Sequence, residues 1–466
     1  MNHSKPVGTD PEPASSRPAT IGVFGHYGNE NLGDEAIIEA SIHNIRKRLP
    51  DVHIVCFSLR PIDTATRYSV PAHPIRYTAG SQVSRRAEME MERRTPRSLG
   101  ERESNPTRQE TVSGRLKAAL KAVPIIYLLA RFVVSLPLTI RRLGNEIGFL
   151  RKSRTVLKGI DLLFFAGSNQ FLDNFGGAWG NPYTVLKWTL LARSAGAKVA
   201  FVSVGSGPLV GRLSKAMIRA ALAFADYQSV RDEQSKALLL GDKQTGLPLV
   251  YPDLAFSLPT NDDEPGSTRL RAGRLKPTVG INLMAIYHDR YWHSPDQGKY
   301  ERYVRQMAEF AGFALQEGYP TFFFGNQPYD DFVINDVVEA MVDMGLDRKD
   351  VPARVKSSNT VAEYMEVVRQ ADVVVATRFH GTVLALHAHR AVLGVCYQLK
   401  AIQVLRDMDQ DDYAFALDDF RTEDLKRSFL RLAGSIEVQI DKIKQRHAEY
   451  QRALDEQYGN VLKLLG

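Results

Sequence analysis

The sequence predicts an α/β protein with two Rossmann-like domains facing each other across a cleft. Three observations lead to this. Short apolar runs alternate with longer helical patterns from Thr20 onward, a polar, proline-containing stretch interrupts them at 258–277, and the halves on either side are of comparable size. Such alternation builds parallel sheets covered by helices, whose ligands collect beyond the carboxyl ends of the strands. With 466 residues and 44% hydrophobic content, the chain can fill more than one core.

The elements follow in order. Residues 1–19 are rich in Pro, Ser and Thr and lack an apolar run, so they read as a disordered tail and not as a signal peptide or anchor. The first domain, 20–257, opens with the strand IGVFG, a helix from about Asp34 to Leu49 and the strand HIVCFSL at 53–59. Between about 80 and 121 the chain turns charged, mixed in sign and poor in large apolar residues, which marks a solvated insertion. The segment 123–154 follows, with the apolar run VPIIYLLARFVVSLPL and then Arg141, Arg142, Arg151, Lys152 and Arg154. The run is shorter than the ~20 residues that span a bilayer. It reads either as a helix buried in the protein or a lid, or as a surface-lying membrane helix with a polybasic flank. Strands then recur at 161–167, 198–205 and in YQSV, each followed by a helical pattern.

After the linker, the second domain (278–421) repeats the plan. Its strands are PTVGINLM (277–284), PTFFFGN (320–326), ADVVVAT (371–377) and AVLGVCY (391–397). Helices are expected at 300–318, near 332–344 and at 381–389. Residues 422–466 read as a charged helical tail that crosses back over the first domain.

Composition narrows the function. A net charge of +7 and a pI near 9.2 suit an anionic partner. The arginines of 85–115 are interleaved with Glu88, Glu90, Glu92, Glu101 and Glu103 and lack aromatics, which disfavours nucleic acid. Cys56 and Cys396 sit in separate apolar runs and read as buried thiols of a reducing, cytoplasmic compartment. His387 and His389, two apart on a helix, point away from each other and lack partners at ligand spacing, so no metal site is expected.

Two stretches carry chemistry. In GHYGNENLGDEA (25–36) three glycines crowd the loop between a strand and a helix. The spacing matches neither a dinucleotide nor a Walker loop, and two carboxylates at the helix start would repel phosphate. Gly25 and Gly33 instead allow close backbone approach, while Asn29, Asn31 and Asp34 offer groups suited to sugar hydroxyls. Asp34 reads as a base toward an acceptor hydroxyl or as a plain helix N-cap. In ADVVVATRFHGT, the strand ends in Arg378 and His380, placing a permanent cation and a titratable imidazole where α/β ligands sit. Arg231 stands at another strand end, and pairing with Asp232 or Glu233 is its alternative reading. Tyr291, Trp292 and His293 read as a sugar-stacking platform or a packed aromatic cluster.

GHYGNENLGDEAI, FFAGSNQFLDN, VGSGP, YQSVRDEQS, YPDLAF, TRFHGTVLALHA and CYQLK, in this order, resemble the polysaccharide pyruvyl transferase family. The resemblance implies a GT-B-like architecture and transfer of the enolpyruvyl group of phosphoenolpyruvate to a sugar, forming a ketal. The acceptor would be a sugar or lipid-linked glycan of exopolysaccharide or cell-envelope assembly, with no metal or nicotinamide. The family's arginine and histidine map onto Arg378 and His380, with His380 protonating the enol methylene. Arg231 would grip the donor from the opposite wall, Lys400 its phosphate, and Asn169 and Asn174 would line the acceptor side. Two other readings stay open: a nucleotide-sugar glycosyltransferase of the same architecture, and a non-catalytic glycan-assembly or membrane-docking protein. The absence of any acidic residue from 381 to 400 speaks against the first.

Overall fold

The computed structural model describes residues 17–28, 31–77, 144–174, 176–240, 246, 248–260, 276–292, 294–354 and 358–466. Asn29, His293, the tail to residue 16, the 80–121 insertion, most of the linker and the first part of the 123–154 segment lie outside them.

The first domain holds a seven-stranded sheet formed by β1 (Thr20–Phe24), β2 (His53–Ser58), β3 (Ala72–Pro74), β4 (Leu162–Ala166), β5 (Lys198–Val204), β6 (Tyr227–Val230) and β7 (Leu249–Val250). Its order is β3-β2-β1-β4-β5-β6-β7, with every pairing parallel. The second contains β8 (Val279–Asn282), β9 (Thr321–Phe324), β10 (Ala353–Arg354), β11 (Val373–Ala376), β12 (Ala391–Cys396) and β13 (Ala414–Ala416), ordered β10-β9-β8-β11-β12-β13 and again parallel. In each sheet the chain reverses direction of growth between its first and fourth strands, opening a crevice between β1 and β4 and another between β8 and β11.

Central strands were legible because both faces are covered: LLFFA of β4 and VVVA of β11 are buried at every position. The edge strands β3, β7, β10 and β13 are only two or three residues long. Runs this short fall below what strand patterning can register, and the sequence reading names none of them. The first helix starts at Leu32, two residues before the expected Asp34, because the Asn31 side chain accepts the Gly33 amide and caps it. The cap is therefore Asn31, which leaves Asp34 in the first turn.

One apolar cluster runs from the first sheet through helices Leu32–Arg48, Val361–Gln370 and Phe379–His387 into the final helix Ile436–Leu462. The chain's last 45 residues divide between the two domains. Helix Thr422–Gly434 buries Leu425, Phe429 and Leu432 in the second core, while Ile436–Leu462 returns to the first. There Tyr458 stacks on Phe164 with centroids 6.1 Å apart, Gln457 bonds Ser203 and Ser229, and Arg48 pairs with Asp455.

Helix Phe379–His387 is fastened to this return helix by three imidazoles. His447 sits 3.0 Å from His387 Nδ1 and 3.2 Å from His389 Nε2. The expectation that His387 and His389 point apart is corrected by the backbone: the helix ends at His387, and His389 takes a left-handed φ of 55° that swings its ring back. Burial, then His447, His389 and Arg369, hold the His387 imidazole well below its ordinary value. The folded protein thus resists a proton that the unfolded chain accepts, so stability is full above pH about 6.5 and declines as pH falls below it. The thermal midpoint should drop from pH 7 to pH 5, and His387→Asn should flatten that slope; an unchanged slope would contradict the assignment.

Candidate functional site

A cavity of about 480 Å³ lies where the two crevices face each other. From the first domain it is lined by His26, Asn31 and Asp34 after β1, Ser168 and Asn169 after β4, Arg76, Asn181 and Arg231. From the second come Asn326, Arg378, Phe379, His380, Tyr397, Gln398 and Lys400.

The loop after β1 is built by its own acids. Glu35 turns inward, where its carboxylate accepts the Gly28 amide at 2.8 Å and the Tyr68 hydroxyl at 2.6 Å. Asp34 faces the cavity and accepts Ser168 Oγ and Asn31 Nδ2, both at 2.9 Å. Two adjacent carboxylates thus divide into a structural one and one exposed to a ligand.

The glycines meet protein and not the cavity. A Cβ on Gly33 would lie 2.2 Å from the His380 ring, so this glycine lets the imidazole of the second domain press against the backbone of the first. At Gly25 the same atom would strike the Tyr27 ring at 2.2 Å, and Gly25 is absent from the cavity lining, which corrects the substrate-contact reading of both positions. Gly33→Ala should block this seating and lower activity by at least about tenfold, with a stability loss of about 1–3 kcal/mol. Kinetics beside thermal unfolding would check it, and wild-type turnover would overturn it.

His380 Nε2 is 3.8 Å from Asp253 Oδ2, within ion-pairing range but beyond a hydrogen bond. Asp253 is buried and also receives Arg231 Nη1 at 3.1 Å and the Ala255 amide at 3.0 Å. Burial pushes its carboxyl upward, but His380, Arg231 and the amide outweigh burial and hold it well below the usual range. Arg231 is held further by Asn169 Oδ1 at 3.2 Å and Asp232 at 3.4 Å. The alternative reading of Arg231 as an ion-pair member is therefore met, within the cavity wall.

Arg378 is gripped through Nε and Nη2 by both oxygens of the buried Asp330, whose Oδ2 also receives the Asn326 and Gln327 amides. This fork fixes the guanidinium plane at the cavity wall. Among the described residues, no carboxylate lies within ion-pairing distance of the other two lining cations, Lys400 and Arg76. The Lys400 ammonium rests 4.5 Å from the Phe379 ring centroid, and Arg231 lies over the same ring at 4.7 Å. Burial, then Arg231, pull the Lys400 ammonium well below its ordinary value, with Asp232, Asp253 and Asp34 opposing. Arg76 bonds Asn181 at 2.7 Å; burial, then Arg76, push His26 down to about 4. The cavity lining holds Arg76, Arg231, Arg378 and Lys400 against one carboxylate, Asp34, which suits an anionic ligand.

The sequence-named residues His380, Arg378, Asp34, Arg231, Lys400, Asn31 and Asn169 converge on this cavity. Asn174 is exposed and outside the lining, because the chain turns away after Asp173. Tyr291 and Trp292 pack into an aromatic cluster with Tyr329 and Tyr397, and Tyr291 accepts Gln327 Nε2 at 2.7 Å, which favours the packing reading. Sequence reading missed Asp253, Asp330, Arg76, His26 and Asn181 as site residues. Asp253 had a signal, standing in YPDLAF among the quoted segments; Asp330 and Arg76 had none. Among the described residues, no group of three His, Cys, Asp or Glu side chains is placed to hold a metal.

Two Rossmann domains closing over a cavity at their paired crevices define the fold of GT-B glycosyltransferases and related epimerases. A UDP-N-acetylglucosamine 2-epimerase from Listeria monocytogenes superposes with a TM-score of 0.51 at 9% identity, over 92% of this chain and 91% of that one. A glycosyltransferase from Rickettsia africae gives 0.50 at 9% identity, over 96% and 100%. The glycotransferase of kitacinnamycin gives 0.50 at 11%, over 97% and 100%. At such identities the likeness is one of fold. The chain belongs to the polysaccharide pyruvyl transferase family, whose model matches residues 31–398. No curated protein sequence matches it. Among the described residues, no helix is long and apolar enough to cross a membrane.

Proposed function

We propose that the protein transfers the enolpyruvyl group of phosphoenolpyruvate to a sugar of an exopolysaccharide or cell-envelope glycan precursor, forming a pyruvate ketal. The observation that carries this reading is one cavity in which His380 is seated beside Asp34 and surrounded by three arginines, Arg76, Arg231 and Arg378, and by Lys400. Phosphoenolpyruvate presents a phosphate and a carboxylate. Lys400 and Arg76, without carboxylate partners among the described residues, suit the phosphate, and the fixed guanidinium groups of Arg378 and Arg231 suit a planar carboxylate.

His380 donates a proton to the C3 methylene, leaving a cationic C2 that one sugar hydroxyl attacks as Asp34 accepts its proton. Attack by a second hydroxyl and departure of phosphate close the ketal. One phosphoenolpyruvate and one diol thus yield one ketal and one hydrogen phosphate, and the reaction so written needs no metal or nicotinamide.

The test is incubation with phosphoenolpyruvate and a panel of soluble and lipid-linked glycosides, following phosphate release and product mass. A carboxyethylidene mass gain with stoichiometric phosphate supports the proposal. Phosphate without that gain, or turnover of a nucleotide sugar instead, refutes it.

A further inference from the structure

We propose that the outer face of the first domain docks on an anionic lipid bilayer through the loops beyond β4 and β5. Three exposed apolar side chains form the tip of this face: Trp179 at 70% exposure, Val210 at 79% and Leu213 at 51%. The Asp173 carboxylate ties the two loops together, accepting the Val210 amide at 3.2 Å and the Gly211 amide at 2.8 Å. The apolar tip is therefore a fixed surface of the fold.

Its surroundings are cationic. From 174 to 225 the chain contains six Lys or Arg and no Asp or Glu; Lys187 is paired with Glu146, and Arg193 and Lys198 with Asp226, which leaves Arg212, Lys215 and Arg219. Arg212 and Lys215 flank Leu213 in the first turn of helix Arg212–Ala223, and no described carboxylate is within ion-pairing distance of either. Helix Asn181–Ala195 lies beside it, and the helical residues 144–157 pack against that helix through Phe149 and Trp188. Of the basic residues in 144–157, Arg154 donates to Ser194 at the far end of Asn181–Ala195, about 20 Å along that helix from Trp179, so the cations at the tip are Arg212 and Lys215.

Exposed aliphatic and indole groups flanked by Arg212 and Lys215 match acyl chains beneath anionic headgroups. Nucleic acid would call for stacking aromatics, and two of the three apolar groups are aliphatic. The face also adjoins the cavity: Trp179 stands two residues before Asn181, and Leu172, next to Asp173, lines the same wall. Docking would hold the cavity mouth at the membrane, where a lipid-linked glycan would be presented; that consequence alone rests on the transferase reading.

The experiment is sedimentation of the full-length protein with vesicles of phosphatidylcholine, with and without phosphatidylglycerol, at low and high salt. Anionic vesicles should capture the protein, and high salt should release it. Val210→Asp with Leu213→Asp, and separately Arg212→Glu with Lys215→Glu, should each lower partitioning by about tenfold or more. All four sites are on the surface, so an unchanged thermal midpoint serves as the folding control. Brominated lipids should quench tryptophan fluorescence in the wild type and much less in Trp179→Phe. Variants that bind as the wild type does, equal capture by neutral vesicles, or equally tight capture by duplex DNA would overturn the proposal. Because vesicle capture needs no turnover, its failure leaves the transferase assay unaffected, and the reverse also holds.

Discussion

His380→Asn should lower the turnover of phosphoenolpyruvate by ~10²–10⁴ while leaving its apparent affinity within a few fold. The reasoning is geometric. The imidazole is wedged against Gly33 and faces Asp253, whereas the cations that suit the donor's charge are other residues, Lys400, Arg76, Arg231 and Arg378. Asparagine keeps the size and polarity of the wedge but cannot deliver a proton to carbon. Phosphate release at saturating donor would measure the rate, and donor protection against thermal unfolding would measure binding. Turnover within threefold of wild type would remove His380 from the chemistry.

The second large effect is expected at Asp330, which was not visible as a site residue in the sequence. Asp330→Asn deletes the charge that balances Arg378 in a buried setting and removes a shared acceptor from the Asn326 and Gln327 amides. Breaking one partner of a buried pair costs about 3–5 kcal/mol. Arg378 keeps a slightly open edge at the cavity, so a value near the lower end, about 3 kcal/mol, is expected. Donor binding should weaken too, because the guanidinium loses the fork that sets its plane. Denaturant unfolding of Asp330→Asn, Arg378→Gln and the double variant would resolve the coupling. If the two single losses simply add, the pair is not the unit described here.

These two residues show how unevenly the site was legible. Arg378 and His380 could be found because a buried strand, ADVVVAT, delivers them to its own carboxyl end before a glycine and a new helix. Asp330 lies 48 residues earlier, at the start of a helix on a different strand's crossover, and nothing in GNQPYDD marks which acid turns inward. Asp253 and His380 are far apart in the chain and meet because the first domain's 3₁₀ turn faces the second domain's strand end. The same applies to His447, whose partners on the preceding domain were judged to diverge until a left-handed residue brought them together.

Alternation of apolar strands with helical patterns, interrupted once, was enough to set two parallel sheets, their crevices and the strand ends that bear Asp34, Arg231, Arg378 and His380. Such information is local: burial on both faces of a central strand requires a continuous apolar run, which can be read along the chain. Pairing of charges, the direction a glycine faces, and the reach of the final helix depend on where distant segments meet. Those were decided by packing, because an ion pair or ring contact is set by a few ångströms across a cleft that no sequence spacing encodes.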